Sequence, residues 1–117
     1  MQTILVIDDE DRIRKTYKNF FENKGYKVID ASNIVDARKY LKAFSIDLIL
    51  LDINMGEFGG DVLYEVAKSF HQDIKIIVSS VYPVEDQKKL MPQAADYFDK
   101  SEGTRVLMEK VEKILIR

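Results

Sequence analysis

Two periodicities alternate along this chain. Short runs rich in Val, Ile and Leu occupy Thr3 to Ile7, Lys27 to Ala31, Asp47 to Leu51 and Ile74 to Val78, with a weaker one at Asp96-Tyr97-Phe98. The first, third and fourth runs carry no polar alternation, which is how a strand covered on both faces reads. Between the runs the spacing turns helical. Ile13, Tyr17, Phe20 and Phe21 stand at i, i+4, i+7 and i+8 and share one face. Ala37, Leu41 and Phe44 repeat the pattern, as do Leu63, Ala67 and Phe70, and finally Leu107, Val111 and Ile114. Gly25 can close the first helix and Ser32 or Asn33 can cap the second, while Pro92 ends a short helix over Glu85 to Met91. Strands alternating with helices in this way require right-handed crossovers. They predict an α/β fold, a doubly wound five-stranded parallel sheet with helices on both faces.

Composition narrows the function classes. The 117 residues are 46% hydrophobic and 32% charged, as one compact domain over 1–117 needs. A net charge of −2 argues against direct nucleic-acid binding, which calls for a basic face. The absence of cysteine excludes disulfides, thiolate metal sites and a thiol nucleophile. No apolar run approaches the ~20 residues of a membrane span, and the first one ends in Asp8-Asp9 rather than a signal-peptide cleavage site. A cytoplasmic location without a membrane segment is expected.

What ends each strand carries the chemistry. The first runs into Asp8 and Asp9, the third into Asp52, the fourth into Ser79 and Ser80, and the fifth into Asp99 and Lys100. In an open parallel sheet these ends share one edge, the edge where such sheets bind ligands. Each residue also has a plainer role: Asp8 and Asp9 as helix caps, Asp52 as a turn residue, Ser80 bonded to its own backbone, Lys100 as a solvated cation. Joint arrival at one edge weakens all of these together. Carboxylates so close repel unless a cation joins them, and an all-oxygen set selects a hard ion, Mg²⁺. A carboxylate can also attack phosphorus to give an acyl phosphate, with Lys100 and Ser80 balancing charge on the phosphoryl oxygens.

In this light the chain resembles the receiver domain of bacterial two-component response regulators. ILVIDDE, DLILLDINMGEFGG, IIVSS and ADYFDKSEG stand in that family's order and at familiar spacing over essentially the whole chain. The resemblance implies the flavodoxin-like strand order 2-1-3-4-5. It implies that Asp52 is the phosphoacceptor and that Asp9 ligates Mg²⁺ directly, with Asp8 acting beside it and Asn54 adding its backbone carbonyl. Lys100 then pairs with the carboxylate and afterwards with the phosphoryl group. Ser80 is the switch hydroxyl, and Tyr97 is the aromatic whose rotamer follows it. Counting from Gly60 without a gap favours Ser80 over Ser79 for that role, although Ser79 also fits a small-residue pattern.

Three positions depart from the family: Gly56 and Ser101 stand where Pro is usual, and Val81 stands where Ala or Gly is usual, with a β-branched side chain that could crowd the site. Implied partners are a sensor histidine kinase or phosphotransfer protein and an unknown output protein. Output would pass through exposed groups near Tyr97 and Val106, with a dimer through the fourth helix, fifth strand and fifth helix also compatible. Two other readings stay open. One is a receiver-like binding module that is never phosphorylated. The other is a small Asp-nucleophile phosphatase, disfavoured because Asn54 stands where such enzymes carry an acid. Met55 and Phe58 read as packing against the sheet, and His71, the only histidine, as a surface cap rather than a phosphorelay group.

Overall fold

The computed structural model describes residues 1–53, 60–70 and 73–116, with the side chains of 60–62 outside the description. The elements run β1 (Thr3–Ile7), α1 (Asp11–Asn23), β2 (Lys27–Ala31), α2 (Ile34–Ala43), β3 (Leu48–Asp52), α3 (Gly60–Phe70), β4 (Lys75–Ser80), α4 (Val84–Leu90), β5 (Asp96–Asp99), a 3₁₀ turn (Lys100–Glu102) and α5 (Thr104–Leu115). All strand pairs are parallel, in the order β2-β1-β3-β4-β5. This is the expected doubly wound sheet.

The pleat divides the core in two. Ile4, Val6, Leu48, Leu50, Ile77 and Phe98 pack with Tyr17 and Phe21 of α1 and with Leu107, Met108 and Val111 of α5. Leu5, Ile7, Ile49, Leu51, Ile76, Val78 and Tyr97 pack on the other face with Ala37 and Leu41 of α2, Leu63 and Ala67 of α3, and Met91 beyond α4. Successive side chains on a strand point to opposite faces. The alternation therefore carries Asp8, Asp52 and Ser79 to the α1/α5 side and Ser80 to the Tyr97 side.

Asn33 caps α2, its side chain accepting the N–H of Asp36 at 2.8 Å. Gly25 adopts φ +95°, a conformation that suits glycine, and its N–H closes α1 on Glu22 O at 3.0 Å. Several boundaries differ from the sequence reading. β3 and β4 begin one residue later than their apolar runs and extend through Asp52 and Ser80, because the ladder pairs Asp52 with Ser79 and Ser80 with Asp99 regardless of side-chain polarity. The fourth helix starts at Val84 and ends at Leu90, leaving Met91 as its cap. Phe44 and Phe70, placed by periodicity on buried faces, are 42% and 50% exposed. Phe44 lies just past the end of α2 in extended backbone, and Phe70 is the last residue of α3.

Candidate functional site

Three strand ends and the turn after a fourth converge on a cluster of buried charge. Asp8 continues the β1–β2 ladder, its N–H bonded to Ala31 O at 3.1 Å, and only 2% of it is exposed. Its Oδ1 accepts the N–H of Glu10 at 2.9 Å, while its Oδ2 accepts Lys100 Nζ at 2.7 Å. The same ammonium lies 3.4 Å from Oδ2 of Asp52, which is 3% exposed at the end of β3. One lysine thus bridges two buried carboxylates. Burial alone would lower its pKa, but the hydrogen bond to Asp8 and the charges of Asp52 and Asp8 more than offset that and hold the ammonium above its ordinary value.

The lysine is delivered by a short capped turn. Asp99 accepts the N–H and the hydroxyl of Ser101 at 2.9 and 2.8 Å, and Glu102 reaches back to the N–H of Asp99 at 3.2 Å. This reciprocal cap satisfies the donors that open the 3₁₀ turn, and the bonds from Ser101 hold the Asp99 carboxylate below its usual range. Ser101 therefore occupies the usual proline position as part of a hydrogen-bonded cap. No cis peptide occurs among the described residues.

At the solvent side of Asp8, the carboxylates of Asp8, Asp9 and Glu10 can each offer an oxygen within 4.8 Å of the others. The sequence reading assigned Glu10 no role; its signal is simply its place after Asp8-Asp9. Arg14 was missed as well. Its guanidinium, 12% exposed, donates to the carbonyl of Asp8 at 2.6 Å and to Asp30 of β2 at 3.1 Å, and it also pairs with Asp11. It ties the β1–α1 turn to the neighbouring strand and offsets part of the local negative charge. Arg14→Lys keeps the charge but loses the planar fork, and we expect urea unfolding to show a stability loss of about 1–2 kcal/mol. A loss within error would mean the fork is immaterial.

Two hydroxyls end β4, and they face different surroundings. Ser80 is fully buried and its Oγ accepts the N–H of Tyr82 at 3.1 Å. Ser79, 1% exposed and paired in register with Asp52, places its Oγ beside the Tyr17 hydroxyl without a well-aligned hydrogen bond. Tyr17, read from sequence as an apolar core position, thus brings a phenol beneath the charge cluster; burial pushes its pKa up. Tyr97 is 8% exposed, and its hydroxyl donates to Met91 O at 2.6 Å, so its ring belongs to the core and not to an exposed surface. Val81, read from sequence as able to crowd the site, is 60% exposed. Asn54, Met55, Gly56, Phe58 and His71 lie outside the described residues.

Comparison with known proteins agrees with this geometry. The model of the response regulator receiver domain matches residues 4–112. A probable transcriptional regulator of Cyanidium caldarium, ycf27, is 35% identical over 117 residues, covering 97% of this chain and 46% of that protein. The chain spans about half the length or less of the curated relatives it matches. Among solved structures, the response regulator TrrA of Thermotoga maritima in complex with Mg²⁺-BeF superposes with a TM-score of 0.86 at 33% identity, over 98% of this chain and all of that one. The structure of histidine kinase ThkA in complex with TrrA matches with a TM-score of 0.85, again at 33% identity, over 98% of this chain and 99% of the matched chain.

Proposed function

The chain belongs to the response regulator receiver family, and from that premise we propose that it takes a phosphoryl group onto Asp52 from the phosphohistidine of a sensor kinase or phosphotransfer protein. The observation that carries this reading is the buried Asp52 carboxylate bridged through Lys100 to Asp8 at the carboxyl edge of the sheet. In the step itself, a carboxylate oxygen of Asp52 forms a bond to phosphorus. The phosphorus–nitrogen bond breaks, and its electron pair leaves on the imidazole. Lys100, already beside Asp52, follows the new negative charge.

The all-oxygen cluster of Asp8, Asp9 and Glu10 suits a hard divalent cation, and TrrA is similar to this chain and binds Mg²⁺ with beryllofluoride. We assign Mg²⁺ to Asp8, Asp9 and Asp52, with the backbone carbonyl of Asn54 as a further ligand; when bound it supplies positive charge to the phosphoryl oxygens. The sequence reading names Ser80 as the switch hydroxyl and Tyr97 as the aromatic that follows it, although Ser80 shares the Tyr97 face of the sheet and Asp52 the opposite one. A second reading gives that role to Ser79. It is favoured by the in-register pairing with Asp52 and by an Oγ that lacks a well-aligned bond.

The output protein, and a dimer through α4, β5 and α5, belong to the same proposal. The test is intact mass after incubation with acetyl phosphate. We expect one added phosphoryl group in the presence of Mg²⁺ and none after chelation. A folded protein that gains no mass under either condition would favour the phosphorylation-independent binding module instead.

A further inference from the structure

A buried hydroxyl without a well-aligned partner calls for an account, because buried polar groups are nearly always hydrogen-bonded. Ser79 is such a residue: its Oγ has no hydrogen bond among the described residues. What lies beside it is the phenol of Tyr17, a buried residue of α1. Strand parity sets both on the side of the sheet that Asp52 faces. Leu48 and Leu50 share the parity of Asp52, Ile77 shares that of Ser79, and all three pack with Tyr17 in one core. Ser79 is also paired in register with Asp52.

A serine hydroxyl has one proton to give and two lone pairs that receive. A Ser79 that gives its proton to an oxygen of a phosphoryl group on Asp52 leaves those lone pairs for a donor. A neutral phenol is one. We propose that Tyr17 is a positioning residue for Ser79, its phenol donating to Ser79 Oγ while Ser79 donates to the phosphoryl group. The inference rests on the phosphoacceptor reading of Asp52 and on the reading above that makes Ser79 the switch hydroxyl.

Three features of the surroundings support this role. Burial pushes the phenol of Tyr17 above its ordinary pKa, so near neutral pH it carries the proton that a donor needs. The nearby ammonium of Lys100 is already engaged by Asp8 at 2.7 Å and Asp52 at 3.4 Å, which leaves the phenol for Ser79. The ring itself is held in the core, tilted against Phe21 with centroids 6.2 Å apart, so its hydroxyl is presented with little freedom to lose. Linked hydrogen bonds also polarise one another, and a serine that accepts from a phenol is the stronger donor. The bond is poorly aligned at rest. An interaction completed only beside a phosphoryl group favours the phosphorylated state over the resting one.

Calorimetric titration with beryllofluoride, a phosphoryl mimic, in the presence of Mg²⁺ tests this in four proteins: wild type, Tyr17→Phe, Ser79→Ala and the double variant. Tyr17→Phe keeps the ring against Phe21 and removes only the hydroxyl. We expect it to weaken binding about fivefold, and Ser79→Ala to weaken it about tenfold. In the Ser79→Ala background the same Tyr17→Phe change should cost less than about twofold, because the phenol acts through the serine. A merely structural tyrosine would show its loss equally in both backgrounds, and that result overturns the inference. So does wild-type affinity in Tyr17→Phe. Wild-type affinity in Ser79→Ala instead removes Ser79 as the switch hydroxyl, and a wild-type protein that binds no beryllofluoride removes the phosphoacceptor reading; the inference falls with either.

Discussion

Asp52→Asn is expected to take up no phosphoryl mass from acetyl phosphate and Mg²⁺, with labelling reduced to below about one thousandth of the wild-type rate, as removal of a covalent nucleophile generally requires. The amide matches the carboxylate in shape, so the end of β3 and its pairing with Ser79 should persist. Its nitrogen lone pair is delocalised and its oxygen carries no full charge, so neither attacks phosphorus. Lys100 keeps its 2.7 Å bond to Asp8, and one of two buried negative charges is gone. The far-ultraviolet circular dichroism and urea midpoint should therefore not fall. Labelling of this variant at an undiminished rate would show that another group takes the phosphoryl, and the assignment of Asp52 would be wrong.

Much of this architecture is legible in the sequence because strands buried on both faces leave unbroken runs of Val, Ile and Leu, too short for helices and bounded by polar residues. The same logic placed Asp8, Asp52 and Lys100, since polar residues that end such runs have one shared edge to occupy. What it could not place was set by partners remote in sequence. Gln87 looks like its solvated neighbours until the carbonyl of Phe98 arrives from β5. Arg14 looks like one more cation on α1 until the turn at Asp8 and the side chain of Asp30 come within its reach. Tyr17 was read correctly as core, but periodicity carries no information about where a hydroxyl at the end of the ring will lie. The distinction between Ser79 and Ser80 was partly available. Ser79 shares parity with Ile77, which faces α1 and α5, and Ser80 shares parity with Val78, which faces Tyr97. Phe44 and Phe70 failed for the opposite reason: a helical period continues on paper after the helix has passed the last strand it could cover.

Lys100→Met should lower stability strongly, and the pH dependence of the loss separates electrostatics from packing. Methionine matches the stem of the lysine but leaves Asp8 and Asp52, each 3% exposed at the side chain, without their shared cation. Stranding a buried charge partner costs about 3–5 kcal/mol, and we expect a loss of that size in urea at neutral pH without Mg²⁺. The pH dependence is set by the lysine that the variant lacks. At the alkaline end the sign belongs to the wild type. Its lysine is held above the ordinary value of 10.5, so the stabilisation is complete below that value and is lost as pH rises through the raised one. The variant has no such alkaline loss. Added Mg²⁺ should raise the variant's urea midpoint more than the wild type's, because the ion supplies the charge that the lysine no longer does. Phosphoryl uptake should still fall by about 10²-fold, since a cation fixed beside Asp52 stabilises charge as it develops on the transferring group. A stability loss under about 1 kcal/mol that is flat with pH would mean that Lys100 is an ordinary solvated lysine, and that the two carboxylates are held by something else.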